Sequence, residues 1–354
     1  MLNQKNNILR LILISVCFLG LAVPRIAWGA ELEEEIKNIY NTYSQYLDKQ
    51  WVSLGWEYSV PSYQYQEINK HSLDNLRLQA TLATAYRFRT DDESVYKIST
   101  AITNVLGKDM PLVNSVPQNG QMVSTRGFGD MIGLYLALQL LVSRPDIFSA
   151  EEQTGIIEQI KKIYPWALRA NDTENRALIS AAYGLAIMRH PLLALSAEEK
   201  TIYKKQIIDK IKIGREAIDK LGIYREGQYK KYSLHYHLVA ALMLSYLGEN
   251  LPNKQYAALS KSMLSYIHKR YALDKLDWRG SERPTGIGLQ TVLLRTWGEK
   301  YLGNKNWKNY WDVEKKKRGF IDPSNPKRLI WKDDIDGTLN DDYSFINMAE
   351  LFWP

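Results

Sequence analysis

The sequence predicts an all-α fold and, within that class, an α/α toroid: a ring of antiparallel helix hairpins with a cleft at one end. Apolar residues recur at helical spacing almost throughout the chain. The predicted helices are similar in length and joined by short loops, and no convincing run of alternating β-branched residues indicates a large sheet. A stacked solenoid is the competing arrangement, but no repeat of fixed period is visible, which favours the toroid.

Each helix is predicted from its apolar spacing and from the residues at its ends. Ser149 and Ser196 precede acidic residues, a pattern typical of helix N-caps. Gly107, Gly222 and Gly303 stand where helices should end. The predicted helices span residues 31–49, 72–90, 93–106, 128–143, 150–169, 174–189, 197–220, 230–248, 254–272, 286–302 and 306–317. The tail from about 320 is rich in Pro, Asp and Asn and is predicted to be irregular, with short strands near 328–331 as a further option.

The N-terminal residues have the pattern of a secretory signal. Lys5 and Arg10 form a basic region, residues 11–23 are apolar, and small residues surround Gly29. The sequence therefore predicts cleavage after Gly29, so that residues 1–29 are a signal peptide and residues 30–354 form a single domain. A signal retained as a membrane anchor is the alternative.

Composition narrows the class of protein. The chain has 354 residues, 45% of them hydrophobic and 24% charged, as is usual for globular proteins. The only cysteine, Cys17, lies in the predicted signal, so the mature protein would contain neither a disulfide nor thiol chemistry. Removing the signal leaves 43 basic and 39 acidic residues, and a charge of +4 is compatible with a polyanionic substrate. These features fit a bacterial periplasmic or secreted enzyme.

Residues 222–237 contain the densest group of titratable side chains. They include four tyrosines, two histidines, two lysines, an arginine and a glutamate, and an apolar helix follows directly. Cations beside a tyrosine favour the phenolate, which can then take part in proton transfer. One interpretation places Tyr236 in a polar cleft, with Lys230, Lys231 or a histidine lowering its pKa. The other is a packed stripe of tyrosines, because Tyr229, Tyr232 and Tyr236 fall at helical spacing.

A second group opens the helix predicted from residue 174. Asp172 or Thr173 is predicted to cap this helix, which places Asn175 and Arg176 in its first turn. Backbone N–H groups at a helix start favour an anion, so Asn175 and Arg176 are candidates for binding a substrate carboxylate. A plain capped helix start explains the same residues.

Together the two groups resemble the helical-toroid polysaccharide lyases, in particular the alginate lyases and the heparinase III-type lyases. Alginate lyases carry an Asn-His pair at one helix start and a basic segment ending in Tyr-His some fifty to sixty residues later. Asn175 is similar to that asparagine, Tyr236-His237 to the Tyr-His, and Lys230-Lys231 to the basic residues upstream. Residues 233–237 also satisfy the Ser-x-x-Tyr-His pattern of the heparinase-like branch. The resemblance is specific over roughly residues 170–250.

The resemblance implies β-elimination on an acidic polysaccharide or oligosaccharide. In it, Asn175 and Arg176 would neutralise the uronate carboxylate, and Tyr236 would serve as base and as acid. One position departs from the pattern, because Arg176 stands where the alginate lyases have histidine. His235 or His237 would replace that histidine, or Tyr236 would act alone.

A third group provides candidates for substrate binding. Trp278, Arg279 and Arg283 lie in a segment similar to the Arg-Gly-rich stretch of chondroitin and hyaluronan lyases, where a guanidinium would clamp a uronate and an indole would stack on a sugar. A helix-terminating loop with solvated charges is the alternative. Glu226 is a further polar candidate, close to the basic segment.

The sequence thus predicts a secreted or periplasmic polysaccharide lyase. One alternative is a glycoside hydrolase on the same fold, with Glu226 and Asp172, Glu174 or Asp277 as its two carboxylates. The other is a non-catalytic protein of glycan binding or export assembly. We expect no cofactor, no metal, no nucleic-acid partner and no stable membrane insertion after cleavage of the signal. The oligomeric state, the polysaccharide and the choice between endo and exo cleavage do not follow from the sequence.

Overall fold

The computed structural model describes residues 30–50, 75–107, 115–124, 127–227, 232–270, 321–322, 325–329 and 340–352, and this part of the chain is mostly helical, as the sequence predicts. The predicted signal and the helices predicted at 286–302 and 306–317 lie outside it. Its helices are α1 (Ala30–Gln50), α2 (Asn75–Ala85), α3 (Asp92–Leu106), α4 (Gly127–Ser143), α5 (Ala150–Arg169), α6 (Glu174–Arg189), α7 (Ala197–Arg215), α8 (Leu234–Asn250), α9 (Lys254–Arg270) and α10 (Asn340–Phe352). The strands pair as two antiparallel hairpins, β1 (Ser115–Gln118) with β2 (Gln121–Ser124) and β3 (Ile321–Asp322) with β4 (Asn325–Leu329).

Local sequence signals fix several helix ends. Ser149 accepts a hydrogen bond from the Glu152 N–H at 3.2 Å, and Glu152 accepts one from the Ser149 N–H at 2.8 Å, which is a complete capping box at the start of α5. Ser196 opens α7 in the same way. Gly107 ends α3, as predicted, and its N–H donates to the Thr103 carbonyl at 2.8 Å. Gly222 does not end α7; it lies in a later turn with a φ of 76°.

The helices form hairpins with an inner and an outer member. The inner helices α2, α4, α6 and α8 pack side by side in chain order, and each also packs against the helix that follows it. Most residues of α4 and α6 are buried, so these helices are apolar on nearly all sides, whereas α3 and α5 bury one face and expose the other. Because short connections make each hairpin antiparallel, the inner helices run in the same direction and their N-terminal ends lie together.

The C-terminal segment differs from the prediction of an irregular tail. Residues 340–352 form α10, which packs on α2 and α4 near the start of the chain. Its Glu350 is fully buried, binds the Arg87 guanidinium at 2.6 Å and accepts a hydrogen bond from the Tyr40 hydroxyl at 2.7 Å. The prediction was wrong because polar residues in this helix interrupt its apolar pattern, although they are paired with distant parts of the chain. Within the described residues, no helix is long and apolar enough to cross a membrane.

Candidate functional site

The candidate site lies where the first turns of α4, α6 and α8 meet. The loop between α7 and α8 runs back over the start of α6, where the N–H of Gly227 donates to the Glu174 carboxylate at 2.7 Å. Glu174 itself has a φ of 54°, a left-handed conformation that costs a non-glycine residue about 1–2 kcal/mol. The fold therefore brings together the two sequence groups, at residues 171–176 and 222–237, that the prediction relied on.

Asn175 occupies the first turn of α6, as predicted. It is 7% exposed, and its backbone N–H donates to the hydroxyl of Tyr224 at 3.1 Å. Among the described residues, its side-chain amide has no hydrogen-bond partner. The remaining exposure of Asn175 leaves its amide in contact with solvent, so the amide can exchange water for hydrogen bonds to a ligand.

The predicted N-cap of this helix is confirmed in its position but not in its hydrogen bond. Thr173 is at the N-cap position, but its side chain forms no capping bond. The Asp172 side chain points to other partners: it lies 3.5 Å from the Lys210 ammonium and accepts a hydrogen bond from Ser180. Lys210 also donates to the Ala170 carbonyl. These contacts hold α7 against the segment that precedes α6 and so help to fix the position of Asn175.

Tyr224 is a component of the site that the sequence prediction did not select. Its side chain is fully buried, and burial raises its pKa well above 10, with the nearby acidic groups of Glu226 and Glu174 adding to the effect. The phenol therefore stays protonated at neutral pH. Since its oxygen accepts the Asn175 N–H, its own hydrogen remains available to donate. The only signal in the sequence was that Tyr224 belongs to the same tyrosine-rich segment as Tyr236.

Tyr236 lies in the first turn of α8. Its side chain is half-buried, and it directly precedes His237, whose ring accepts the Tyr224 N–H. The Ser233 hydroxyl accepts a hydrogen bond from the Tyr236 N–H at 3.4 Å, which makes Ser233 the N-cap. Because α8 begins at Leu234 and not at residue 230, Tyr232 lies outside the helix and the tyrosines do not share one helical face. Tyr232 and Tyr236 nevertheless both pack against the core, as the interpretation of packed tyrosines expects.

His237 is part of the core and is not placed as a catalytic base. It is fully buried, its Nδ1 accepts the Tyr224 N–H at 3.2 Å, and its Nε2 lies 3.0 Å from the Met263 carbonyl. Burial lowers its pKa to about 4, so the ring is neutral and cannot supply the cation that was predicted beside Tyr236. What His237 does is fix the backbone of Tyr224. The side chain of His235 lies outside the described part of the structure.

Arg176 is exposed in the first turn of α6. Its guanidinium carbon is 5.2 Å from the centroid of the Phe128 ring, in the first turn of α4, and Arg77 of α2 is 5.6 Å from the same ring. Both distances are in the range of cation–π contacts. Within the described residues Arg176 forms no ion pair. Asn175 and Arg176 are consecutive residues in the first turn of α6, and their joint binding of one carboxylate stays a prediction.

Other predicted site residues are only partly placed. Glu226 is half-buried beside Tyr224. Lys230, Lys231, Trp278, Arg279 and Arg283 lie outside the described residues. In the ranges that the structure describes, no three His, Cys, Asp or Glu side chains cluster in a way that would hold a metal ion.

Comparison with protein-family models, with curated proteins and with solved structures finds no match to this chain.

Proposed function

We propose that this chain is a polysaccharide lyase with an α/α toroid fold, which cleaves an acidic, uronate-containing polysaccharide by β-elimination. The observation that carries the proposal is the meeting of Asn175, Tyr224 and Tyr236 at one end of the inner helices. Elimination needs a donor for the uronate carboxylate and groups that accept and return a proton, and these three side chains provide both functions. The signal peptide predicted at residues 1–29 supports the further proposal that the enzyme is exported to the periplasm or the medium.

A closed ring is supported by the position of the last helix. In an open solenoid each repeat contacts only its neighbours, so the two ends of the chain stay apart. Here α10 packs on α2 and α4, and its Glu350 binds Arg87 and Tyr40 near the other end of the chain. A toroid places such contacts at the closure of the ring and leaves a cleft at the end where the inner helices begin.

The proposed chemistry uses one neutral amide and two phenols. The amide of Asn175 donates to the uronate carboxylate, which disperses the charge that develops when the C5 proton leaves. Tyr236, as phenolate, removes that proton; the C5–H electrons form the C4–C5 double bond as the C4–oxygen bond breaks. The leaving oxygen takes that proton back from Tyr236, while the fully buried Tyr224, which its raised pKa keeps protonated, fixes the start of α6 through the Asn175 N–H.

The missing motif histidine is consistent with this assignment. Arg176 replaces it and lies over the ring of Phe128. His237 is excluded as the base because its two ring nitrogens are both engaged in the core. The described groups at the site that can carry a proton are then the tyrosines and the carboxylates of Glu174 and Glu226, and the proposal assigns the proton transfer to Tyr236.

A comparison of two tyrosine variants tests the proposal. Residues 30–354 would be incubated with alginate, polyglucuronate and glycosaminoglycans while the absorbance of unsaturated uronates is followed. We expect Tyr236→Phe to lose at least 100-fold in rate, because the base and the acid disappear together. Tyr203→Phe is the matched control: this half-buried tyrosine lies on outer helix α7 and packs edge-on against Tyr164 at 4.8 Å. Equal rates for the two variants would contradict the proposal.

A glycoside hydrolase is the second candidate, and one observation favours it. Glu174 and Glu226 both lie close enough to Tyr224 to raise its pKa, so two carboxylates do meet at the site. Asp172 is no longer a partner for them, because it is buried against Lys210. New reducing ends without the absorbance of unsaturated uronates would support this candidate against the lyase.

A further inference from the structure

The feature that carries a further inference is the left-handed backbone of Glu174 at the start of α6. Its φ is 54°, whereas glycine and asparagine are the residues that most often adopt this conformation. A left-handed glutamate persists only where its surroundings hold it, and residues of this kind are concentrated at functional sites. Here the surroundings hold two parts of the residue, its carboxylate and its carbonyl.

The carboxylate of Glu174 is held by the loop between α7 and α8. One of its oxygens accepts the N–H of Gly227 at 2.7 Å. Gly227 has a φ of 68°, a conformation that glycine adopts without strain. A hydrogen bond to an ionised carboxylate is stronger than one between neutral groups. The contact therefore ties this part of the loop to the first residue of α6.

The carbonyl of Glu174 packs against α7. A Cβ on Gly214 would lie 2.9 Å from this carbonyl oxygen, so the two helices approach closely only because residue 214 has no side chain. The same planar peptide unit contains the N–H of Asn175, which donates to the Tyr224 hydroxyl at 3.1 Å. The backbone angles of Glu174 therefore set the orientation of the peptide unit that leads into Asn175.

The loop and the start of α6 exchange two hydrogen bonds in opposite directions. Tyr224 accepts one from α6, and Gly227 donates the other to it. The loop between them is braced internally, because the Asp219 carboxylate accepts the Ile223 N–H at 2.9 Å and the Arg225 side chain at 3.2 Å. Loss of the carboxylate on α6 would remove one of the two bonds and let the strained backbone relax.

We propose that Glu174 is a positioning residue for the reaction: its carboxylate, bound to Gly227, holds its own backbone in the left-handed conformation and so places Asn175 for the substrate carboxylate. In this role the carboxylate carries no proton, and an amide oxygen at the same place can replace it. The inference rests on the proposed function for the role of Asn175. It also assigns Glu174 to a task other than that of a hydrolase carboxylate.

Hydrogen exchange tests the contact without any turnover. Peptides from residues 216–227 would be followed by mass spectrometry in residues 30–354 of the wild type and of three variants. Glu174→Ala and Glu174→Gly should speed exchange at Gly227 about tenfold, and Glu174→Gln less than about threefold, because its amide oxygen still accepts the N–H. Wild-type exchange in Glu174→Ala would overturn the proposal. Equal exchange in Glu174→Gln and Glu174→Ala would overturn it too, since only the charge at the helix start would then matter.

Urea unfolding separates the contact from overall stability. Glu174→Gly should unfold at a higher urea concentration than Glu174→Ala, because glycine is left-handed without strain. Both variants lack the acceptor for the Gly227 N–H, so both should exchange equally fast at that position. If exchange at Gly227 instead followed the urea midpoint, the effect would be one of stability and the positioning role would be wrong.

Rates of cleavage separate positioning from proton transfer. Glu174→Ala should lose about tenfold in kcat, whereas Glu174→Gln should lose less than about threefold. Glu216→Ala is the matched control and should keep the wild-type rate, since Glu216 is an exposed glutamate at the end of α7, beside the same loop. A loss of about 100-fold or more in Glu174→Gln would show that the carboxylate moves a proton and would overturn the proposal, as would equal kcat values for the two Glu174 variants. If exchange behaves as expected but the wild type cleaves no acidic polysaccharide, the contact stands and the lyase proposal fails.

Discussion

A pH titration of stability tests the role assigned to His237. The neutral ring is buried with both nitrogens bonded, and burial lowers its pKa from 6.5 to about 4. Below pH 6.5 the unfolded chain binds a proton at this position and the folded chain does not, so the free energy of unfolding falls as pH decreases towards 4. With these two pKa values the loss attributable to His237 is about 2 kcal/mol between pH 7.5 and pH 5.

The assay is urea unfolding of the wild type and of His237→Gln at pH 7.5, 6.5 and 5. The variant is expected to be less stable at pH 7.5, because the glutamine side chain does not fill the space of the ring or hold an acceptor and a donor in the positions of the two ring nitrogens. It should lose about 2 kcal/mol less than the wild type on going to pH 5. Buried His190, whose pKa is also lowered to about 4 by burial, gives a second variant with the same expected difference. Parallel pH profiles for the wild type and His237→Gln would refute the assignment of His237 to the core.

Three substitutions test the packing that positions the site. Gly127→Ala should lower the free energy of unfolding in urea by about 1–3 kcal/mol, because its Cβ would lie 2.3 Å from a carbonyl oxygen of α5. Gly184→Ala should lower it by less, since its Cβ would lie 3.1 Å from the nearest atom. Equal losses would contradict the close approach at Gly127. Lys210→Met should lower the free energy of unfolding by about 3–5 kcal/mol, because it removes the cation beside the buried carboxylate of Asp172. Lys212→Met, in an exposed ion pair, should lower it by under about 0.5 kcal/mol. Thermal unfolding of the two variants measures the difference. Glu350→Gln should lower the free energy of unfolding by about 3 kcal/mol or more and make α10 accessible to proteases, because it breaks a buried ion pair with Arg87. A variant that resists proteolysis as well as the wild type would argue against closure of the ring by this helix.

Local signals in the sequence predicted the helices where each signal acts within one turn. The capping boxes at Ser149 and Ser196 need only residues three apart, and both starts were predicted correctly. Helix α10 was missed because Asn347 and Glu350 look like surface residues. They are buried because Thr81 donates to Asn347 at 2.6 Å and Arg87 pairs with Glu350, contacts that join residues more than 260 positions apart.

The candidate site shows the same limit. The prediction correctly placed Asn175 in the first turn of its helix, whereas the helix that carries Tyr236 was predicted to begin at residue 230 and begins at Leu234. It did not select Tyr224, whose role depends on a hydrogen bond to a residue 49 positions away, and it did not reveal that the ring nitrogens of His237 are both used in the core. Spacing along the chain predicts which residues share a helix turn, whereas a side chain's hydrogen-bond partners depend on how the helices pack.

The mass of the products from an acidic homopolymer of uronic acids tests the central claim most directly. Elimination adds no water, so the masses of the two fragments from one cleavage sum to the mass of the starting oligosaccharide, and one fragment carries the double bond. Hydrolysis makes that sum greater by one water molecule. Our account predicts fragments without added water from the wild-type chain and none from Tyr236→Phe. Fragments that contain the extra water would contradict it.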